Sequence, residues 1–135
     1  MISSTPVVVH SDNAPTALGP YSQGIIAGGF IYTAGQGGID PASGQIVAGG
    51  VEAETRQVWQ NLSAVLAAAG SSLAAVVKVN VYMVDLNDFG KMNAIYAEFF
   101  PTTKPARTTV QVAADRKSTR LNSSHPRLSR MPSSA

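Results

Sequence analysis

A chain of 135 residues, 44% of them apolar and 13% charged, can form one compact domain with its own core and is too short for two. It contains no cysteine, which excludes a disulfide framework, a thiolate nucleophile and any cysteine-ligated metal centre. Residues 1–114 carry five Lys/Arg against seven Asp/Glu and residues 115–135 carry five against one, so the body offers no electrostatic case for nucleic-acid binding.

The first part of the chain predicts three strands. PVVV, residues 6–9, is a short β-branched run of the kind found in strands. YSQGIIAGGFIYTAGQ, residues 21–36, predicts two strands around Gly28-Gly29, because paired glycines between apolar runs are typical of a two-residue hairpin. Residues 37–50 are rich in turn formers and predict a loop.

From Val51 the hydrophobic period changes to that of a helix. Apolar residues recur at helical spacing over 51–69, acidic residues lie in the first turn, and Gly70 stands where a helix C-cap belongs. AVVKVNVYMVD, residues 75–85, alternates apolar and polar residues, which predicts a strand with one buried face.

A second apolar stripe predicts a helix over residues 88–100, with Asp88 as its N-cap. Pro101 and Pro105 end that helix and favour an extended entry to a strand over residues 107–112. The predicted order is therefore β-β-β-α-β-α-β, which indicates the α+β class with helices on one face of a mixed sheet.

Arg107 is the first candidate for a functional residue. A guanidinium cannot lose its proton, so its burial requires an anionic partner. One interpretation is an internal salt bridge to an acid such as Asp85 or Glu98. The other is a bidentate clamp for a small carboxylate, which the planar fork of arginine fits better than lysine would.

Other chemistry is weakly supported by the residues. Gly35-Gln36-Gly37-Gly38 is superficially similar to a phosphate-binding loop, but Asp40 stands where the last glycine of that pattern belongs. His10 has no histidine partner at metal-ligating spacing and no nucleophile-elbow motif accompanies it, so neither a metal site nor a Ser-His-Asp triad is predicted. We find no signal peptide and no apolar run long enough to cross a membrane, and expect a cytoplasmic protein.

Four stretches together resemble the RidA/YjgF family of 2-iminobutanoate/2-iminopropanoate deaminases: NAPTALGPYSQGI, IYTAGQ, VVKVNVYMVDLNDFGKMNAIYAEFF and PARTTVQVA. The resemblance covers about residues 11–113. It implies a chorismate-mutase-like α+β fold, assembly into a homotrimer whose sheets form a central barrel, and active sites in clefts between subunits. The implied reaction is hydrolysis of 2-imino or enamino acids to 2-keto acids and ammonia, with no metal and no cofactor.

The resemblance also implies roles for single residues. Arg107 matches the arginine that binds the substrate carboxylate, and Thr109 matches a position whose backbone lines the site. Gly35 matches a glycine whose backbone approaches the ligand, Tyr21 a tyrosine that lines the pocket, and Asn93 an asparagine of the second helix.

The chain departs from the family pattern after Ala113. The family continues with a turn and a last strand that carries a glutamate thought to position the hydrolytic water, and here no glutamate follows Glu98. We therefore interpret residues 1–114 as a RidA-like domain without its last strand, which leaves residues 107–112 as a sheet edge. Residues 115–135 form a basic, serine-rich tail, predicted to be disordered, and DRKSTRLNSSH resembles translated sequencing adapter.

Two alternatives to the deaminase remain open. Without the glutamate, the protein is a catalytically silent trimer that binds small carboxylates or acts like a chaperone. The second alternative applies if the basic tail is a genuine part of the protein, and the tail is then an extension that binds nucleic acid. The mildly acidic charge of residues 1–114 does not support nucleic-acid binding by the rest of the chain.

Overall fold

The computed structural model describes residues 5–113 and 127–130, and the predicted order of elements is confirmed. The elements are β1 (Val7–Val9), β2 (Gly24–Ala27), β3 (Phe30–Thr33), α1 (Gly50–Ala68), β4 (Lys78–Met83), α2 (Phe89–Phe99), β5 (Ala106–Gln111) and β6 (Arg127–Arg130).

The predicted hairpin joins β2 to β3. Gly28 and Gly29 have φ angles of 57° and 81°, and the flanking Ala27 and Phe30 are paired across the turn. Two successive residues with positive φ are the requirement of a type I′ turn, which glycine meets without steric cost. The glycine pair therefore fixes the register of β2 and β3.

The end of α1 also follows the prediction. Gly70 has a φ of 80° and its N–H donates to the carbonyl of Ala67 at 2.9 Å, while the N–H of Ser71 donates to Leu66 at 2.8 Å. These two bonds form a Schellman motif, in which a left-handed residue satisfies the last carbonyls of the helix. The chain thus leaves α1 at a defined angle and turns back towards β4.

β4, α2 and β5 form a parallel crossover unit. β4 pairs with β5 in parallel, in a register that places Val79 beside Arg107 and Val81 beside Thr109. Because paired residues of neighbouring strands point to the same side of a sheet, Arg107 and Thr109 lie on the face that carries the buried valines. α2 connects the two strands and covers that face.

Both helices cover one face of the sheet strands, which confirms the α+β class and the predicted mixed sheet. The strands form two three-stranded groups, β1-β2-β3 and β5-β4-β6, which approach each other where β3 lies near β6. The main core lies between the helices and β4, and its buried residues include Val58, Trp59, Leu62, Leu66, Val79, Val81, Met83, Met92, Tyr96 and Phe100. A second cluster of Val9, Ala14 and Val65 fixes β1 and the following segment beneath α1.

Asp88 occupies the predicted N-cap position of α2, but its side chain does not cap the helix. Asp88 makes no side-chain capping bond, because a short 3-10 turn over Leu86–Asp88 leads directly into the helix. Asp85 is the residue that caps this turn, and its carboxylate accepts a hydrogen bond from the N–H of Asn87 at 2.9 Å. The side-chain capping bond therefore lies at the start of the 3-10 turn and not at the start of α2.

The predicted edge strand is confirmed within the described residues, but for a different reason. β5 has β4 as its neighbour, while β6 pairs antiparallel with the opposite side of β4. A strand at the position of β6 therefore cannot cover β5. The sequence predicts a disordered tail over residues 115–135, but Arg127–Arg130 forms a strand. Residues 114–126 and 131–135 lie outside the described residues.

In the part of the chain that the structure describes, neither helix combines the length and the apolar content that a membrane span requires. The division of the chain at residue 114 and the cytoplasmic location stay predictions.

Candidate active site

Arg107 lies near the start of the edge strand β5, on the side of the sheet covered by α2. Its side chain is half-buried rather than solvated. Three residues of α2 surround the guanidinium, and their spacing of i, i+4 and i+7 places Phe89, Asn93 and Tyr96 on one face of the helix. The crossover connection therefore brings one helix face and one strand end into contact.

Asn93 makes the direct hydrogen bond to Arg107. Nη1 of the guanidinium donates to Oδ1 of Asn93 at 2.7 Å. The guanidinium carbon also lies 4.6 Å from the ring centroid of Tyr96 and 5.4 Å from that of Phe89, within the range of cation–π attraction. All three partners are uncharged groups, so they orient the cation without neutralising it.

Neither carboxylate proposed as an internal partner is paired with Arg107. Glu98 accepts a hydrogen bond from Nη1 of Arg56 at 2.7 Å, and that bond holds the pKa of Glu98 below its usual value. Asp85 is engaged in capping the turn before α2. Among the described residues, no ion pair includes Arg107. Within the described part of the chain, the positive charge of Arg107 is therefore not neutralised by a carboxylate.

The other predicted site residues are not all brought to Arg107. Thr109 lies on the same face of β5, two positions further along the strand. Tyr21 lies in the exposed loop before β2, where its hydroxyl accepts a hydrogen bond from the N–H of Leu18 at 3.3 Å, and Gly35 is exposed after β3. No hydrogen bond or ring contact of the described residues joins Tyr21 or Gly35 to Arg107.

The glycine-rich segment after β3 is fixed against α1. Nδ2 of Asn61 donates to the carbonyls of Gly37 at 3.3 Å and Ile39 at 2.8 Å, and Asn61 is itself buried. A Cβ placed on Gly38 would lie 2.7 Å from the Cβ of Glu54, closer than real Cβ atoms approach. Glycine is therefore required at 38 by close packing on the helix.

Gln23 fixes the segment that carries Tyr21, and the sequence analysis did not identify it. This buried side chain accepts a hydrogen bond from the N–H of Ser11 at 2.6 Å and donates to the carbonyls of Ser11 and Pro15 at 3.1 and 2.9 Å. The bonds join Gln23, which directly precedes β2, to residues 11–15. A single amide thus satisfies backbone groups that a buried loop would otherwise leave unpaired.

The apolar stripe of α2 predicted a helix but gave no sign of a role for Tyr96 at the site. The structure shows that Tyr96 belongs to the core and contacts Arg107 as well. One signal was present in the sequence, since Asn93 interrupts an otherwise apolar stripe and a polar side chain there requires a buried partner. Within the described residues, no group of three or more His, Asp or Glu side chains could hold a metal ion.

Comparison with known proteins gives consistent results. Residues 11–121 match the family model described as endoribonuclease L-PSP. The chain is 54% identical over 106 residues to a RutC family protein of Pyrococcus horikoshii, an alignment that covers 78% of this chain and 84% of that protein. It is 45% identical over 114 residues to the human 2-iminobutanoate/2-iminopropanoate deaminase, covering 84% of this chain and 83% of the human protein.

Solved structures show the same similarity. The YjgF gene product of Escherichia coli superposes with a TM-score of 0.83 at 37% identity, over 91% of this chain and 94% of that one. Escherichia coli TdcF with bound serine superposes with a TM-score of 0.84 at 34% identity, over 92% and 95% of the two chains. The similarity therefore extends across nearly the whole length of these structures.

Proposed function

The chain belongs to the endoribonuclease L-PSP family, which includes the RidA/YjgF proteins, and from this premise we propose that it hydrolyses 2-imino acids to 2-keto acids and ammonia. The observation that supports this function best is the half-buried guanidinium of Arg107, which has neutral partners among the described residues and no carboxylate. Human, rat and mouse relatives at 45–48% identity are named 2-iminobutanoate/2-iminopropanoate deaminases.

Arg107 binds the substrate carboxylate in this proposal. A guanidinium presents several N–H donors in a planar fork, of which Asn93 uses one, so parallel hydrogen bonds to both oxygens of a carboxylate remain available. Thr109, further along β5, lines the site with its backbone. Anchoring the fixed anion leaves the electrophilic C=N carbon in a defined position, which is the main requirement for attack by water.

The proposed reaction proceeds by addition and elimination. The oxygen of a water molecule bonds to the C=N carbon, one of its protons passes to nitrogen, and a carbinolamine forms. The C–N bond then breaks, the carbinolamine hydroxyl proton passes to the leaving nitrogen, and a 2-keto acid and ammonia are released. Oriented hydrogen-bond donors and acceptors suffice for these steps, so we propose a site that requires no metal and no cofactor.

We propose that a neighbouring copy completes the site. Tyr21 and Gly35 are not joined to Arg107 within one chain, yet both match site positions of the family. The sheet face opposite the helices exposes Val8, Tyr32 and Val110, which are 64%, 38% and 38% accessible. An exposed apolar sheet face is typical of an assembly surface, and it supports a homotrimer with its sites between subunits.

A second function is favoured by one sequence observation. No glutamate follows Glu98, so the residue that positions the hydrolytic water in the family has no counterpart in the chain. A trimer that binds 2-keto or 2-imino acids through Arg107 and releases no ammonia would fit the same guanidinium. Calorimetric binding of 2-ketobutyrate without accelerated hydrolysis distinguishes this silent binding protein from the deaminase.

The decisive variant is Arg107→Ala. Loss of two charge-assisted hydrogen bonds to the carboxylate should lower kcat/KM at least about a hundredfold. Turnover is measured as the protein's ability to compete with semicarbazide for an imine generated in solution. Arg107→Lys is the matched control, because it keeps the charge and loses the fork, and an intermediate value is expected. Unchanged turnover by Arg107→Ala, at an unchanged mass by light scattering, would rule out the clamp.

A further inference from the structure

The face of the Tyr96 ring supports the guanidinium of Arg107. The separation of 4.6 Å between the guanidinium carbon and the ring centroid is shorter than the 5.4 Å to Phe89, so Tyr96 provides the closer of the two aromatic contacts. Asn93, three residues before Tyr96 on the same helix face, holds Nη1. The guanidinium is therefore held by a hydrogen bond at one nitrogen and by an aromatic ring that faces it. Both contacts come from the same helix.

The Tyr96 ring is itself held firmly by the core. Its centroid lies 5.5 Å from that of Trp59 in an edge-to-face arrangement and 5.0 Å from that of Phe100. Tyr96 is buried, and Trp59 packs in turn edge-on to Phe100 at 4.8 Å. Because Trp59 and Phe100 both pack against the Tyr96 ring, the ring cannot turn away from Arg107 without opening a cavity in the core.

The hydroxyl of Tyr96 does not explain the contact. It is buried and has no hydrogen-bond partner among the described residues, and burial raises the pKa of Tyr96, although the nearby Arg107 opposes the shift. The phenol is therefore neutral at ordinary pH and does not form an ion pair with Arg107. The interaction between the two side chains is made by the ring.

We propose that Tyr96 is a positioning residue whose ring face holds Arg107 in the orientation that binds a carboxylate. The inference rests on the proposed function, because it assigns Tyr96 a part in the same anion site. A free arginine side chain has many rotamers and loses that freedom when it binds a ligand. With Tyr96 and Asn93 in place, most of that loss occurs during folding, so ligand binding is tighter.

The test compares Tyr96→Leu with Tyr96→Phe. Leucine removes the ring and keeps an apolar side chain, and we expect the KM for the imine and the Kd for 2-ketobutyrate to rise about 2- to 30-fold, the range of cation–π contributions. kcat should change less than about threefold, because bound substrate is still held by Arg107. Phenylalanine keeps the ring face, and its KM and Kd should stay within about twofold of the parent.

Structural damage alone predicts a different pattern. A variant that merely folds less well would lower the concentration of active protein, and hence the apparent kcat, without raising KM. Should Tyr96→Leu fail to fold, Phe89→Leu tests the same idea at a half-buried position, and a smaller rise in KM is expected there because Phe89 lies further from Arg107.

The outcomes separate this inference from the proposed function. If the parent binds 2-ketobutyrate and Tyr96→Leu binds it equally well, Tyr96 has no positioning role while the anion site stands. Where Tyr96→Leu does not fold, equal binding by Phe89→Leu would refute support of Arg107 by aromatic rings. An increase of KM in Tyr96→Phe as large as in Tyr96→Leu would assign the effect to the hydroxyl and overturn the ring-face proposal. If the parent neither binds 2-ketobutyrate nor hydrolyses the imine, the proposed function and the inference fall together.

Discussion

Asn93→Asp would convert the neutral partner of Arg107 into an internal anion of nearly the same shape. The amide oxygen lies 2.7 Å from Nη1, so a carboxylate there would form the salt bridge that the described residues lack. Replacing a neutral acceptor by a charged one strengthens such a bond by about 1–2 kcal/mol, and repulsion between the new carboxylate and the ligand adds to this. We therefore expect 2-ketobutyrate to bind about 10- to 100-fold more weakly.

Isothermal titration calorimetry measures this change directly, and Asn93→Ala is the matched control. Alanine removes the same hydrogen bond without adding charge, so it should weaken binding only about 3- to 10-fold. The expected order of affinity is the parent, then Asn93→Ala, then Asn93→Asp. Binding by Asn93→Asp that equals or exceeds binding by Asn93→Ala would refute the argument, because it would show that the free charge of Arg107 is not what the ligand recognises.

Two further predictions concern stability. Gly38→Ala should lower the free energy of unfolding by about 1–3 kcal/mol, since the new Cβ would lie 2.8 Å from the Cα of Glu54. The control Gly90→Ala, with nothing within 4 Å, should raise it by up to about 1 kcal/mol in denaturant titrations. Arg56 lowers the pKa of Glu98 in the folded state. The ion pair between the two side chains therefore stabilises the fold above the pKa that Glu98 has in the unfolded chain. This stabilisation is lost as the pH falls through the pKa of Glu98 in the folded protein. The small Tm deficit of Glu98→Gln at pH 7 should therefore shrink as the pH is lowered and Glu98 becomes protonated, and a deficit independent of pH would contradict this origin.

Much of the fold was predictable because its elements have strong local signals. The glycine pair at 28–29 and Gly70 act through backbone conformations that other residues rarely adopt, so their effect can be read without knowing the tertiary structure. The side-chain capping bond before α2 could not be located in this way. Asp85 and Asp88 are both good caps, and the choice between them depends on where the 3-10 turn begins, which packing decides.

The site was predictable only in part. Arg107 stood out because a cation at the start of an apolar strand requires an explanation. Its actual partners depend on α2 lying over β5, and the apolar stripe of α2 shows which face is buried without showing what it meets. Gln23 was missed for a related reason, since its partners are backbone carbonyls 8 to 12 residues away and carry no side-chain signal.

The parallel crossover has a consequence for the order in which the anion site assembles. The residues that hold the cation all lie between the start of β4 and the end of β5, within one continuous stretch of the chain. Contacts between residues that are close in the sequence form quickly during folding. Arg107 and its partners on α2 can therefore come together before the N-terminal hairpin docks. A circular permutant with new termini at the exposed Ser72 would leave that stretch unbroken, so its guanidinium should keep the same partners from α2.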